Sequence, residues 1–255
     1  MKITVLLRII VENIRYMNIK DKLTIVIPSF NEENYIERTI TNLANQNNIT
    51  GTRVIIADGF SRDRTRSKII NLKHSLKDKI NIELVNGGKV AYARNFGLTL
   101  VKTKYVLFMD ADTVLMDNNI IDDTIKDMYH NKLELLTCRV KSVGKDIRTN
   151  LSFRLFNLIN KFISRKTPFA VGTYFMTKTD KIKQLKGFDE TYQHSEDYML
   201  SKLYDPKNFK ISKKYIGQDD RRFKKMGYFG MIKLLINGYI NRNNPKFFKY
   251  DVSYW

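Results

Sequence analysis

Tyr105-Val106-Leu107-Phe108-Met109-Asp110-Ala111-Asp112-Thr113 decides how the chain is read. Five apolar residues run without a break and then stop at two carboxylates one residue apart. The run is short, rich in β-branched and aromatic side chains, and preceded by Lys102-Thr103-Lys104. That predicts a buried parallel strand rather than a helix. In an open α/β sheet, ligands gather beyond the carboxyl ends of the strands, where this strand would deliver Asp110 and Asp112. Two carboxylates so close repel each other and need a cation or hydrogen-bond donors. An oxygen-seeking divalent ion bridging to a phosphate meets both needs. A strand that simply ends in a polar turn has the same pattern, so the stretch alone leaves its function open.

Upstream, the alternation of strand, loop and helix repeats. Leu23–Ile27 reads as a strand stopped by Pro28-Ser29-Phe30-Asn31. Glu32-Glu33 opens an amphipathic helix carrying Tyr35, Ile36, Ile40 and Leu43, its acids suited to the positive end of the macrodipole. Val54–Ala57 is a second strand ending on Asp58, and Gly59-Phe60-Ser61-Arg62-Asp63 turns into the next helix with Ser61 or Asp63 as cap. Ile80–Val85 is a third, followed by Asn86-Gly87-Gly88 and a helix from about Lys89 to Val101. At least three βα units with short connections make a doubly wound α/β half over about residues 20–115. Carboxylates ending two strands and a Gly-Gly loop after another converge on one sheet edge.

The second half is less regular. Asn119–His130 and Leu151–Ser164 read as helices, Thr167–Met176 as an extended segment entering the sheet, and Lys181–Leu185 as a short helix. Gly187-Phe188-Asp189-Glu190 forms a turn, and His194-Ser195-Glu196-Asp197-Tyr198 opens another helix with Ser195 as N-cap. From Arg221 to Ile240, Phe223, Met226, Phe229, Ile232, Leu235, Ile236 and Ile240 recur at roughly helical spacing, interrupted by Gly227 and Gly230.

Composition bounds the partners. The 255 residues are 43% hydrophobic, enough for a proper core. The single cysteine, Cys138, sits in the run Leu133–Cys138 and reads as a buried small hydrophobe in a reducing compartment. Lys and Arg number 45 against 26 Asp and Glu, a net charge of +19. That excess favours anionic partners: nucleic acid, phosphorylated substrates or an acidic membrane surface. No zinc-finger, helix-turn-helix or aromatic RNA-binding pattern is present, so no nucleic-acid partner is expected. No apolar run approaches the roughly 20 residues that span a bilayer. The N-terminal Met1–Val11 is apolar, but Arg8 splits it and no small-residue cleavage site follows. It reads as an amphipathic leader over residues 1–20, either packed on the protein or lying in a membrane interface.

Taken in order, the motifs resemble the family 2 glycosyltransferases of the GT-A fold across about residues 22–200. Ile25-Val26-Ile27-Pro28-Ser29-Phe30-Asn31-Glu32-Glu33 resembles the family's opening strand and Pro-x-x-Asn-Glu turn. Ile56–Thr65 is similar to its Asp-Gly-x-Ser-x-Asp-x-Thr loop, and Gly87–Gly97 to its Gly…Ala-Arg-Asn-x-Gly helix. Asp110-Ala111-Asp112 stands where the family carries Asp-x-Asp. Gly187-Phe188-Asp189-Glu190 followed by Glu196-Asp197 resembles its acceptor segment.

The resemblance implies an α/β GT-A catalytic domain over 21–215, with a nucleotide-binding half (21–115) and an acceptor half (116–215), and an amphipathic helical extension over 216–255. It implies inverting transfer of one sugar from a UDP-, GDP- or dTDP-sugar to a hydroxyl of a lipid-linked, glycan or protein acceptor. Asp197 would be the base, with Glu196 beside it as the alternative. Asp112 would hold Mg²⁺ or Mn²⁺. Asp58 would accept from the nucleotide base and Asp110 from the ribose, with Pro28, Glu32, Lys89 and Arg94 completing the nucleotide site. Arg94 could instead be a surface helix residue. Arg221 and Arg222 are candidate phosphate contacts or simply a basic helix start. His194 alone of the histidines lies near this set. A cytoplasmic enzyme, peripheral at the inner face of a membrane, is the expected setting.

Two other functions compete. A sugar nucleotidyltransferase wants a Gly-rich, Arg-containing loop after its first strand, where this chain has Pro28-Ser29-Phe30-Asn31. A basic nucleic-acid-binding protein would bind steeply with salt and be indifferent to Asp112. A dinucleotide dehydrogenase lacks its Gly-x-Gly-x-x-Gly here.

Overall fold

The computed structural model describes residues 18–244 and 246–249. The amphipathic leader lies almost wholly outside them. Among the described residues, eight strands form one sheet: β1 (Leu23–Ser29), β2 (Thr52–Asp58), β3 (Ile80–Asn86), β4 (Tyr105–Phe108), β5 (Val114–Leu115), β6 (Leu135–Ser142), β7 (Phe175–Lys178) and β8 (Phe209–Gln218). The helices are α1 (Ile36–Ala44), α2 (Thr65–Ser75), α3 (Val90–Thr99), α4 (Ile120–His130), α5 (Ile147–Ile163), α6 (Thr179–Gln184), α7 (Glu196–Ser201) and α8 (Arg221–Ile240).

The strand order is β3-β2-β1-β4-β7-β6-β8-β5. β3, β2, β1 and β4 run parallel, β7 is antiparallel to both β4 and β6, and β8 runs parallel to β6. The order reverses between β1 and β4, so the crevice where such sheets bind ligands opens beyond Ser29 and Phe108. This is the edge the sequence pointed to.

Both faces of the sheet are covered, which is why β1 and β4 are buried throughout and almost wholly apolar. Ile25, Ile27 and Leu107 face a core completed by Ile36, Ile40 and Leu43 of α1 and by α4. Val26, Val106 and Phe108 face the other way, onto Ala91 and Leu98 of α3 and onto Phe188. The alternation is the two-residue period of a strand.

β1 continues through Pro28, past the stop expected there. Met109 N–H donates to the Val26 carbonyl, so even-numbered residues of β1 turn toward β4. β4 ends opposite Val26, and the missing N–H of Pro28 therefore falls where no ladder partner stands.

Three further expectations change. Only Phe175 and Met176 of the extended segment lie in a strand, which runs on to Lys178; residues 167–174 form a loop whose Gly172 N–H is taken by Asp197 instead of a neighbouring strand. β6 and β8 were not read as strands. The apolar run holding Cys138 is β6, where the thiol is buried and burial pushes its pKa up. α8 is two helical pieces joined at Gly227, whose φ of 71° and ψ of 165° suit only glycine.

Candidate active site

The loops after the first three strands are stitched backbone to backbone. Gly59 N–H donates to the Ser29 carbonyl at 2.7 Å, and Gly87 N–H to the Asp58 carbonyl at 2.7 Å. A Cβ on Gly87 would stand 2.8 Å from the Ala57 carbonyl oxygen, so no other residue allows this approach. The Gly-Gly loop thereby sets the level of the site floor and starts α3.

Asp58 lies fully buried at this floor. It accepts from Ser29 Oγ at 3.1 Å, Ser61 N–H at 3.0 Å, Ser61 Oγ at 2.6 Å and Arg66 Nη1 at 2.9 Å. Four donors match the roughly four lone-pair directions of a carboxylate. Of these partners, Arg66 is the one with an exposed side chain, so it is the donor that can yield its place. Asp63 does what a cap does: it accepts from Thr65 N–H at 2.9 Å and from Glu33 N–H at 3.1 Å, tying the loops after β1 and β2 together.

Arg94 is no surface residue. It is buried on α3, its guanidinium over the Phe188 ring. Nη2 donates to Asp110 at 2.7 Å and Nη1 to Glu196, so one cation joins the end of β4 to the start of α7. Asp197 is the third carboxylate around it. Asp197 accepts from Gly172 N–H at 2.5 Å and from its neighbour Tyr198 N–H at 2.7 Å. Burial first, and Glu196 second, push the Asp197 carboxyl up to about 6 against the pull of Arg94.

Ser195 occupies the N-cap position of α7 but makes no capping bond. Its φ is 58°, in the left-handed region, and its hydroxyl lies 3.3 Å from His194 Nδ1. That turn aims Glu196 and Asp197 inward. His194 is buried against Phe247 and Phe248.

A second cation pairs with the other acids. Arg221, at the start of α8, forks onto Glu32 through Nη1 at 2.9 Å and Nη2 at 2.8 Å. Nη2 also meets Asp112 at 2.9 Å, and the guanidinium stacks over the Tyr35 ring. Burial raises the Glu32 carboxyl above its ordinary value although Arg221 pulls it down. The two residues are far apart in sequence, and no local signal pairs them. The side chain of Arg222 lies outside the described residues. Lys89 is exposed at the start of α3 and donates to Gln193 at 3.1 Å, across to the turn before α7. Pro28 is buried in β1 beside Ala57.

Among the described residues, no group of three or more His, Cys, Asp or Glu is arranged to hold a metal ion. Asp112 offers a hard carboxylate oxygen at the crevice. That fits Mg²⁺ or Mn²⁺ where phosphate oxygens and water supply the remaining ligands.

Gly172, in the loop before β7, was missed by sequence reasoning. A Cβ there would stand 2.6 Å from Arg94 Nη2 and 3.1 Å from Asp197 Oδ2. Arg94 is pinned at both terminal nitrogens and cannot easily retreat. Gly172→Ala should therefore destabilise the protein by about 1–3 kcal/mol through overpacking. It should also cut activity by up to roughly 100-fold by displacing Asp197. Thermal melts beside turnover measurements on the variant check both; a melt and rate equal to wild type would contradict the packing described.

Residues 24–186, more than half of the chain, match the family model described as glycosyl transferase family 2. The chain is a family 2 glycosyltransferase. This glycosyltransferase is similar to the O-antigen biosynthesis glycosyltransferase WbnJ of Escherichia coli, at 25% identity over 188 residues, 72% of each chain. It is 24% identical over 207 residues to the poly(ribitol-phosphate) beta-N-acetylglucosaminyltransferase TarP of Staphylococcus aureus, covering 76% of the glycosyltransferase and 61% of TarP. Its fold is that of solved GT-A enzymes. The mannosyltransferase PcManGT from Pyrobaculum calidifontis, in complex with GDP-Man and Mn²⁺, superposes with a TM-score of 0.63 at 18% identity over 85% of the glycosyltransferase and 64% of that chain. Staphylococcus aureus TarS in complex with UDP-GlcNAc gives 0.58 at 20% identity over 78% and 58%. The glycosyltransferase thus spans about three fifths of the length of TarP and of these two structures.

Proposed function

We propose that this glycosyltransferase moves one sugar, with inversion, from a nucleotide-diphosphate sugar to a hydroxyl acceptor, using Asp197 as the base. The observation that carries the reading is the Asp110–Arg94–Glu196 bridge with Asp197 beside it. It couples the strand end on the donor side to the helix on the acceptor side through one buried cation. Glu196 is committed to Arg94, whereas among the described residues the hydrogen-bond donors to Asp197 are backbone N–H groups, and its pKa is raised. Between the two, this favours Asp197. A carboxylate poised near working pH takes the acceptor proton as the hydroxyl attacks the anomeric carbon, and the diphosphate leaves from the opposite face.

In this reading Asp58 binds the nucleotide base after Arg66 yields, Asp110 binds the ribose, and Pro28, Glu32 and Lys89 line the donor site. Arg94 positions the carboxylates rather than touching the diphosphate. Arg221 transfers from Asp112 and Glu32 to the phosphates when donor arrives, leaving Asp112 for the metal. A bound Mg²⁺ or Mn²⁺ would offset charge on the departing diphosphate. The complexes of related folds with UDP-GlcNAc and with GDP-Man and Mn²⁺ support a nucleotide-sugar donor and a divalent ion. The relatives named for O-antigen biosynthesis and for N-acetylglucosaminyl transfer to poly(ribitol-phosphate) support an acceptor that is a glycan or a polymer.

Calorimetric titration with UDP-, GDP- and dTDP-sugars in Mn²⁺ tests the donor reading. One donor class should bind to wild type, and Asp112→Ala should weaken it by at least about tenfold, the loss of one charge-assisted contact. Equal binding by Asp112→Ala would remove Asp112 from the site.

A further inference from the structure

α5 carries an apolar face that nothing in the described chain covers. Its inner side packs through Thr149, Phe153 and Asn160, all buried. On the opposite side Ile147, Leu151, Leu155, Leu158, Ile159 and Phe162 form one stripe, 44–82% exposed. At 100° per residue these six fall within about a third of the helix circumference. Arg148 lies within the stripe, Arg154 and Lys161 line one edge of it, and Arg165 and Lys166 follow its end, all exposed. No carboxylate occurs between Asp146 and Asp180. α5 and α8 are joined by Phe153–Phe223 and by Thr149 Oγ1 with Tyr228 OH at 3.0 Å.

We infer that the outer face of α5 docks this enzyme in the interface of an anionic lipid bilayer. A large apolar stripe with Lys and Arg along one edge and at its end, without acids, is the pattern of helices that lie in the headgroup region. The cations meet lipid phosphates while the aliphatic stripe enters the acyl boundary. A second copy of the chain is a poorer occupant. Packed on its own twin, the helix would bring Arg and Lys side chains together with no local carboxylate to pair them.

The position of α5 gives the docking a use. Phe156 on its inner side touches Phe169 at 5.8 Å between centroids, and Phe169 touches Tyr198 at 4.7 Å. Tyr198 follows Asp197 in the chain. Two ring contacts therefore connect the docked helix to the base, holding the acceptor half against the surface from which a membrane-carried acceptor would reach it. This use rests on the glycosyl-transfer reading; the docking itself does not.

Flotation of the full chain with phosphatidylcholine vesicles, with and without phosphatidylglycerol, tests it. Wild type should float with the phosphatidylglycerol vesicles at low salt. Leu151→Glu with Leu158→Glu, both exposed and outside the site, should lower the bound fraction at least tenfold while donor hydrolysis in solution stays at the wild-type rate. Arg154→Ala with Lys161→Ala should lose most of the preference for phosphatidylglycerol. Equal flotation of the double Glu variant overturns the assignment. So does a wild-type dimer in solution that the Glu variant splits, since the stripe would then be a self-interface. Absence of donor hydrolysis in every protein would sink the glycosyl-transfer reading and leave the flotation result standing.

Discussion

Replacing Asp197 with Asn should lower sugar transfer by about 10²–10⁴-fold, the usual worth of a positioned general base, while donor binding changes by no more than a few-fold. The carboxamide keeps the shape but cannot take a proton. The wild-type pH profile carries the same signature. The base acts ionised, and its carboxyl sits at about 6, so the rate should be flat above that pH and fall about tenfold for each unit below it. The acid limb should be missing from whatever activity Asp197→Asn retains.

Stability runs the other way. The folded state holds this proton more tightly than the unfolded chain, whose value is near 3.8. The stability contributed by Asp197 is thus present below pH 3.8 and is lost as pH rises to about 6. The ionised state that catalysis needs is the one that weakens the fold. A rate-pH profile beside thermal melts across the same range checks both signs.

Arg94→Met should be the most damaging single change to the fold. It leaves Asp110, Glu196 and Asp197 together with their shared cation gone, and breaking a buried pair from one side typically costs about 3–5 kcal/mol. For a domain of this size that lowers Tm by roughly 6–20 °C. Because the stranded carboxylates now repel, protonating them relieves the strain, so the loss should shrink as pH falls toward 5. A variant that melts like wild type at neutral pH would show that the carboxylates do not depend on Arg94. Arg94→Lys should recover only part of the loss, since one ammonium cannot fork to Asp110 and Glu196 at once.

The sheet edge that gathers these acids was legible in the sequence because each of its parts is local. An apolar run ending in acids, a Gly-Gly loop and an acid-rich helix start are patterns within a few residues, and β1 to β4 with Asp58, Asp110 and Asp112 follow from them. The pairings were not legible. Arg94 meeting Glu196, and Arg221 meeting Glu32, join residues over 100 positions apart, and only the folded sheet brings them together. β8 was missed because Lys213-Lys214 interrupts its apolar pattern, and β6 because Leu133–Cys138 is too short a run to separate strand from helix by periodicity. Gly172 carries no signal at all in a loop; its importance is the space occupied by Arg94 and Asp197.

The most direct measurement of the central claim is release of nucleoside diphosphate from a panel of UDP-, GDP- and dTDP-sugars with Mn²⁺ or Mg²⁺, run on wild type, Asp112→Ala and Asp197→Asn. The account predicts that wild type turns over at least one donor and that both variants fall by at least 100-fold, with Asp197→Asn still binding that donor. Turnover undiminished in Asp197→Asn would contradict the assignment of the base, and a wild type that neither binds nor cleaves any donor would contradict the account as a whole.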